Sequence, residues 1–142
     1  MAQLEPKLDA AGVNALIRRG FPDAPPAAMP RVIEVQPGRV RMMTPYRPGL
    51  LRPGGVISGP TLMSVADGAA YALVLSHIGD QLMAVTSQLN MSFLRGCQPG
   101  DIHAEAQMLR LGRRLVVMDV RLWTEAPDRL AAQANVTYAL PG

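Results

Sequence analysis

Cysteine is nearly absent from this chain of 142 residues, and its one thiol, Cys97, excludes an internal disulfide and any cysteine-based metal cluster. Lysine also occurs once, as Lys7, so the net charge of +3 rests on arginine, whose planar fork suits phosphates and carboxylates. Aromatic residues make up only 4%, too few for stacking platforms, and no basic run occurs; nucleic acid is not an expected partner. Long apolar runs are missing too. The best candidate, Leu62–Ile78, is interrupted by Asp67, Gly68, Ser76 and His77, which argues against a membrane span. Residues 1–10 carry Glu5 and Asp9 and lack the apolar core of a signal peptide. The expectation is a cytoplasmic protein without membrane, metal or cofactor.

What is present suits one compact domain spanning residues 1–142, with an N-terminal helix and loop over 1–30. Hydrophobic residues reach 49% and charged ones 18%, enough apolar surface for a core and too little charge for disorder. A domain of this size buries roughly 70% of its unfolded surface. Leu4 to Arg19 reads as an amphipathic helix with Leu8, Val13, Leu16 and Ile17 as its stripe. Arg31–Gln36 and Arg39–Thr44 read as a hairpin turned at Pro37-Gly38, and Pro45–Gly55 as loop. A long helix starts at Ser58-Gly59-Pro60, with serine as cap and proline in the first turn, and stops at Gly79. His77 in its last turn suits the helix dipole as a partial positive charge. From Met83 onward the chain alternates between apolar and polar residues. Met83–Phe93, Asp101–Met108, Arg114–Trp123 and Leu130–Leu140 are read as a four-strand antiparallel meander, with His103 on an exposed polar face. One apolar helix wrapped by such a sheet is an α+β solution to the burial problem.

Asp67 is the most informative residue. It lies in Gly59-Pro60-Thr61-Leu62-Met63-Ser64-Val65-Ala66-Asp67-Gly68-Ala69-Ala70, a stretch so apolar that burial is expected, and a buried carboxylate is costly unless partnered or used. Upstream, Arg52-Pro53-Gly54-Gly55-Val56-Ile57-Ser58-Gly59 leads glycine-rich backbone into the helix start. Plain structural readings stand beside the functional ones. Asp67 could bond Ser64 or Tyr71, Gly54-Gly55 could be a permissive turn, Thr86 is open either way, and Gln88 and Asn90 could be ordinary sheet-face residues.

These elements resemble a hotdog-fold acyl-CoA thioesterase of the PaaI-like branch. The likeness runs from about Arg31 onward and is carried by Arg52–Gly68, Ala84–Arg95, Pro99-Gly100-Asp101, Leu109–Leu115 and Ala134–Tyr138. It implies a long central helix wrapped by an antiparallel sheet, here with a short N-terminal helix. In that family a His-Gly-Gly start precedes an acid nine positions later. Counting back from Asp67 places Ser58 at the histidine, Gly59 at the first glycine and Pro60 at the second. The resemblance implies Asp67 as general base or nucleophile, the Gly59 amide as polariser of the thioester carbonyl, and Thr86 as a supporting hydroxyl. Ser58 departs from the family histidine, and Arg52 stands where many members carry asparagine.

Gly59 and Asp67 lie about 12 Å apart along a helix at ~1.5 Å per residue, too far for one site within one helix. The family builds its sites between two protomers, so a homodimer, and beyond it a dimer of dimers, is expected. Leu62 and Met63 are expected to line an apolar acyl pocket with strand residues, and Arg52, Gly54, Gly55 and Asn90 are further candidates for substrate binding. Arg95, Arg113 and Arg114 are candidates for the phosphates of coenzyme A, which is part of the substrate. The substrate expected is a medium-chain or aryl acyl-CoA; the alternative is a non-catalytic acyl-CoA binder or sensor, which the loss of the histidine at Ser58 keeps open.

Overall fold

A computed structural model describes residues 4–142. The expectation about a leader over 1–10 falls in part on residues 1–3, which lie outside the described residues. The first helix, α1, spans Ala10–Gly20 rather than beginning at Leu4. Asp9 sets the start, because its carboxylate accepts from the Gly12 N–H at 2.8 Å. Residues 4–8 run irregularly, and the Lys7 and Leu8 amides both donate to the Ser76 carbonyl, at 2.7 and 3.1 Å. The buried stripe of α1 is Val13, Leu16 and Ile17.

The expected hairpin forms as β1 (Arg31–Gln36) and β2 (Arg39–Thr44), with Gly38 at φ 72° in its turn. The segment expected to be loop also holds a two-residue ladder, β3 (Leu51–Arg52) against β4 (Val56–Ile57). Helix α2 spans Gly59–Ile78. Ser58 caps it, its hydroxyl accepting from the Thr61 N–H at 3.3 Å, and Gly79 ends it at φ 84°, a conformation glycine adopts without a Cβ penalty. Four further strands follow: β5 (Val85–Phe93), β6 (Ile102–Leu111), β7 (Leu115–Trp123) and β8 (Ala132–Ala139).

The six long strands form one antiparallel sheet in the order β1-β2-β6-β7-β8-β5. Here the expected four-strand meander is corrected. Only β6, β7 and β8 form a meander; β5 pairs with β8 at the sheet edge, and β6 turns instead to β2. Burial accounts for the order, since β6, β7 and β8 present fully buried residues to α2 while β5 is exposed along most of its length. Helix and sheet approach through small side chains. Ala66, Ala69, Ala70 and Ala72 on α2, and Ala104, Ala106, Ala132 and Ala134 on the sheet, have no exposed surface. The α+β arrangement is that of the hotdog fold.

Both histidines differ from expectation. His77 is buried, and its Nε2 accepts from the Gly38 N–H at 2.9 Å. The ring proton therefore sits on Nδ1, 2.8 Å from Ser76 Oγ and 3.2 Å from the Leu73 carbonyl. Burial lowers the pKa of His77, against a smaller opposing pull from the Leu73 bond, so it is a neutral core group and not a charge at a helix end. His103 is half-buried and stacks on Trp123 at 5.8 Å between ring centroids, with the Arg41 guanidinium 5.3 Å from the Trp123 ring.

Candidate active site

Three elements converge on Asp67. Strands β5 and β8 pair so that Thr86 lies opposite Tyr138. Simple alternation along β5 would put Thr86 on the outer face with Gln88 and Asn90. The register slips between Thr86 and Gln88, leaving Ser87 as an extra residue, and this bulge reverses the facing of the strand before it. Thr86 consequently points inward with Tyr138, toward α2. Its hydroxyl donates to Asp67 Oδ1 at 2.5 Å, and the Tyr138 hydroxyl donates to the same oxygen at 2.8 Å.

Asp67 is only half-buried, which corrects the expectation of a fully buried helix. From Ala72 to His77 α2 is closed on all sides, but Met63 and Ser64 are exposed and Asp67, Gly68 and Tyr71 are half-buried, forming one open stripe at helical spacing. Asp67 bonds neither Ser64 nor Tyr71, whose hydroxyl goes to the Leu82 carbonyl at 2.8 Å. Burial, above all, pushes the Tyr138 phenol far above its ordinary pKa; the Asp67 charge adds to this and Thr86 opposes it.

Beside Asp67 opens a cavity of about 670 Å³, a size ordinary for small-molecule sites. Ser64, Asp67, Gly68 and Tyr71 line its helix side. The opposite wall comes from the segment 21–30, with Phe21, Pro25 and Met29 facing in, which the sequence reading treated only as loop. Phe21 meets Tyr71 edge to face at 6.3 Å, and Tyr71 stacks on Tyr138 at 5.8 Å, so three of the chain's six aromatic rings line this cavity. Arg47 is the other charged side chain on its lining.

The remaining candidates are dispersed. Gly59 opens α2, and its N–H has no acceptor among the described residues. Its neighbours at the helix start are accounted for: Pro60 has no N–H, Ser58 Oγ takes the Thr61 amide, and the Ser58 carbonyl takes that of Leu62. Ser58, at the expected histidine position, thus serves as cap. Leu62 is in the core and Met63 is on the open stripe; neither lines the cavity, which corrects their place as its walls. Gly54 and Gly55, at φ 102° and 75°, make the β3–β4 turn, and Arg52 bonds the Pro53 carbonyl at 3.2 Å. All three are exposed and away from the cavity. Asn90 pairs with Asn135 on the face of the sheet opposite Asp67, the plain reading weighed for it. Arg95 lies past one end of β5, bonding the Leu130 carbonyl at 3.1 Å, whereas Arg113 and Arg114 sit in the β6–β7 turn at the other end of the sheet.

Tyr138 is the residue the sequence reading passed over. Its signal was present: along β8 the inward residues are Ala132, Ala134, Val136 and Tyr138, and a buried tyrosine needs a partner for its hydroxyl. Among the described residues no three His, Cys, Asp or Glu side chains gather where they could hold a metal ion.

Comparison with known proteins bears on this site. A family model described as the thioesterase superfamily matches residues 54–138. Over 106 residues, 73% of this chain and 73% of the other, the chain is 32% identical to a protein of Saccharolobus solfataricus named as a candidate esterase. The fold superposes on the crystal structure of a candidate thioesterase from Silicibacter sp. with a TM-score of 0.85 and 31% identity, covering 98% of this chain and 96% of that one. It also superposes on the PaaI protein of the E. coli phenylacetic acid degradation operon, with a TM-score of 0.76 over 94% of this chain and 96% of that one. At 20% identity the PaaI match speaks for the fold alone.

Proposed function

The chain belongs to the thioesterase superfamily, and from that premise we propose that this thioester hydrolase cleaves a medium-chain or aryl acyl-CoA to the free acid and coenzyme A, with Asp67 as general base or nucleophile. The observation that carries the reading is the Asp67 carboxylate, held by two hydroxyls, on the lining of a largely apolar cavity. In the base route Asp67 takes a proton from water as the water oxygen bonds the thioester carbon. The C–S bond then breaks and the proton passes to the departing sulfur. In the nucleophile route the carboxylate bonds that carbon and expels coenzyme A by breaking the C–S bond, the thiolate taking a proton from solvent. Water then splits the mixed anhydride, returning the Asp67 carboxylate and releasing the free acid. Both routes need a donor for the carbonyl oxygen, and the free Gly59 N–H at the positive end of α2 is suited to that role.

The two groups meet in a twofold dimer. A Cβ on Gly59 would lie 3.4 Å from the Phe93 ring, so the helix start sits at the Phe93 end of β5, while Asp67 sits at the Thr86 end. An antiparallel pairing of β5 with its copy, centred on Asn90 and leaving Ser87 out as the bulge residue, sets Thr86 opposite Phe93 of the partner subunit. That brings Asp67 toward Gly59 of the partner subunit. The edge of β5 is unpaired within the protomer, and Val85, Phe93, Leu94 and Met63 are all large, apolar and exposed around it. The same symmetry carries Arg95 of the partner subunit to the sheet end that holds Arg113 and Arg114, three strand spacings or about 14 Å across. That span suits the separated phosphates of coenzyme A.

Mixed dimers test this. Asp67→Asn removes the base, and Gly59→Pro removes the N–H at a helix position where proline is tolerated. Each variant alone is expected to be inactive, and mixing the two restores one intact site per mixed dimer. Two inactive variants that stay inactive when mixed would refute the shared site, and full activity of Asp67→Asn would refute the role of Asp67. The non-catalytic alternative, kept open by Ser58, predicts acyl-CoA binding with no thiol release by the wild-type protein.

A further inference from the structure

The two oxygens of Asp67 are in different surroundings. Thr86 and Tyr138 both donate to Oδ1, at 2.5 and 2.8 Å, and no described residue donates to Oδ2. The Tyr138 hydroxyl also lies 3.2 Å from the carbonyl oxygen of Asp67 itself, so it holds the backbone of α2 as well as the side chain. We propose that Tyr138 is a positioning residue for hydrolysis: together with Thr86 it pins Oδ1, which leaves Oδ2 as the oxygen that takes the proton of water or bonds the thioester carbon. This rests on the reading of Asp67 as the reacting carboxylate.

The hydroxyl is not needed for packing. Stacking on Tyr71 and burial between β5 and α2 use the ring, and phenylalanine would supply both. The hydroxyl donates to Asp67, with the Thr86 hydroxyl beside it, and, among the described residues, to no group of the core packing. Because burial and the carboxylate keep the phenol protonated, Tyr138 is a standing donor at any working pH. A carboxylate gripped through one oxygen cannot rotate about its Cβ–Cγ bond without losing both donors. The free oxygen thus keeps a fixed direction, the condition under which a base or nucleophile acts at short range. The other titratable or charged groups near Asp67 are Tyr71 on α2, with Asp80 acting on its phenol, and Arg47 from the loop after β2. Neither Tyr71 nor Arg47 bonds Asp67.

The test compares Tyr138→Phe, Thr86→Val and Asp67→Asn with the wild type, following thiol release from an acyl-CoA. Tyr138→Phe is expected to remain a folded dimer and to lose about 10- to 100-fold in kcat, the scale of one hydrogen bond to a charged group, while KM stays within about threefold. Thr86→Val should lower kcat on the same scale with KM likewise little changed, so the pinning stays testable if Tyr138→Phe does not fold. Wild-type kcat in Tyr138→Phe, or a KM that rises in step with the fall in kcat in either variant, overturns the proposal. An inactive Asp67→Asn beside a wild-type-like Tyr138→Phe sinks only the role of Tyr138. A fully active Asp67→Asn sinks the reading on which that role rests.

Discussion

Replacing His77 by glutamine should abolish a component of acid sensitivity that the wild-type fold carries. Nε2 accepts from the Gly38 amide at 2.9 Å, and a protonated ring would set two donors against each other there. Burial is the first cause of the lowered pKa, so the folded protein resists a proton that the unfolded chain binds at the ordinary value near 6.5. The sign follows from linkage: this contribution is fully present above about pH 6.5 and is lost as pH falls from there toward the folded pKa. The slope is at most about 1.4 kcal/mol per pH unit per protomer. Glutamine can still accept from Gly38 through its side-chain oxygen but does not titrate. Urea unfolding at pH 7.5, 6.5 and 5.5, at one fixed protein concentration because the protein is expected to dimerise, gives the difference between the two proteins. The advantage of the wild type over His77→Gln should be constant between pH 7.5 and 6.5 except near the lower bound, then shrink by up to about 1.4 kcal/mol by pH 5.5. A difference that stays flat, or grows as pH falls, would refute the neutral-acceptor assignment.

Deleting Ser87 should remove the β5 bulge and leave Thr86, now directly before the outward Gln88, on the inner face opposite Tyr138, with kcat within about threefold of the wild type. Circular dichroism should be retained, and a loss of about 10- to 100-fold in turnover would show that facing alone does not aim Thr86 at Asp67. Phe21→Ala should open the cavity wall and shift kcat/KM toward longer acyl chains, by about fourfold per added methylene at ~0.8 kcal/mol each. Measured on a series of acyl-CoA chain lengths, an unshifted optimum would place the acyl group elsewhere.

Elements specified by neighbouring residues were legible in the sequence. Helix α2 ends where Ser58 caps and Gly79 stops it, because caps act within one turn. The hairpin of β1 and β2 forms around Pro37-Gly38 as read, since a tight turn fixes its own register. Strand β6 was legible from its inward Ile102, Ala104, Ala106 and Met108, all buried against α2. The partner of β5 was not. Alternation tells which residues share a face and carries no information about which strand lies alongside, and the chain from Leu94 to Asp101 carries β6 away from β5 to pair with β2. The helix start at Leu4 was misread because the stripe of α1 continues apolar into Leu8, while Asp9 ends the helix from outside the periodic pattern.

The site divides along the same line. Asp67 and Gly59 stand out within one helix, whereas Tyr138 reaches Asp67 from 71 residues away and depends on the β5–β8 register. Thr86 was visible as a residue but not as an inward one, since its direction depends on Ser87 being left unpaired. The expectation that an all-round apolar helix must be buried fails for one protomer: Met63 on the open stripe is 42% exposed, and Phe93 beside the start of α2 is 52% exposed. A helix covered by one sheet on one side needs a second surface on the other. In the dimer proposed above, the unit of the burial argument is larger than one chain. With β5 at an unpaired edge next to that open stripe, a second copy of the same edge and stripe would supply the missing surface, and the carboxylate that made the helix look costly would lie where the two copies meet.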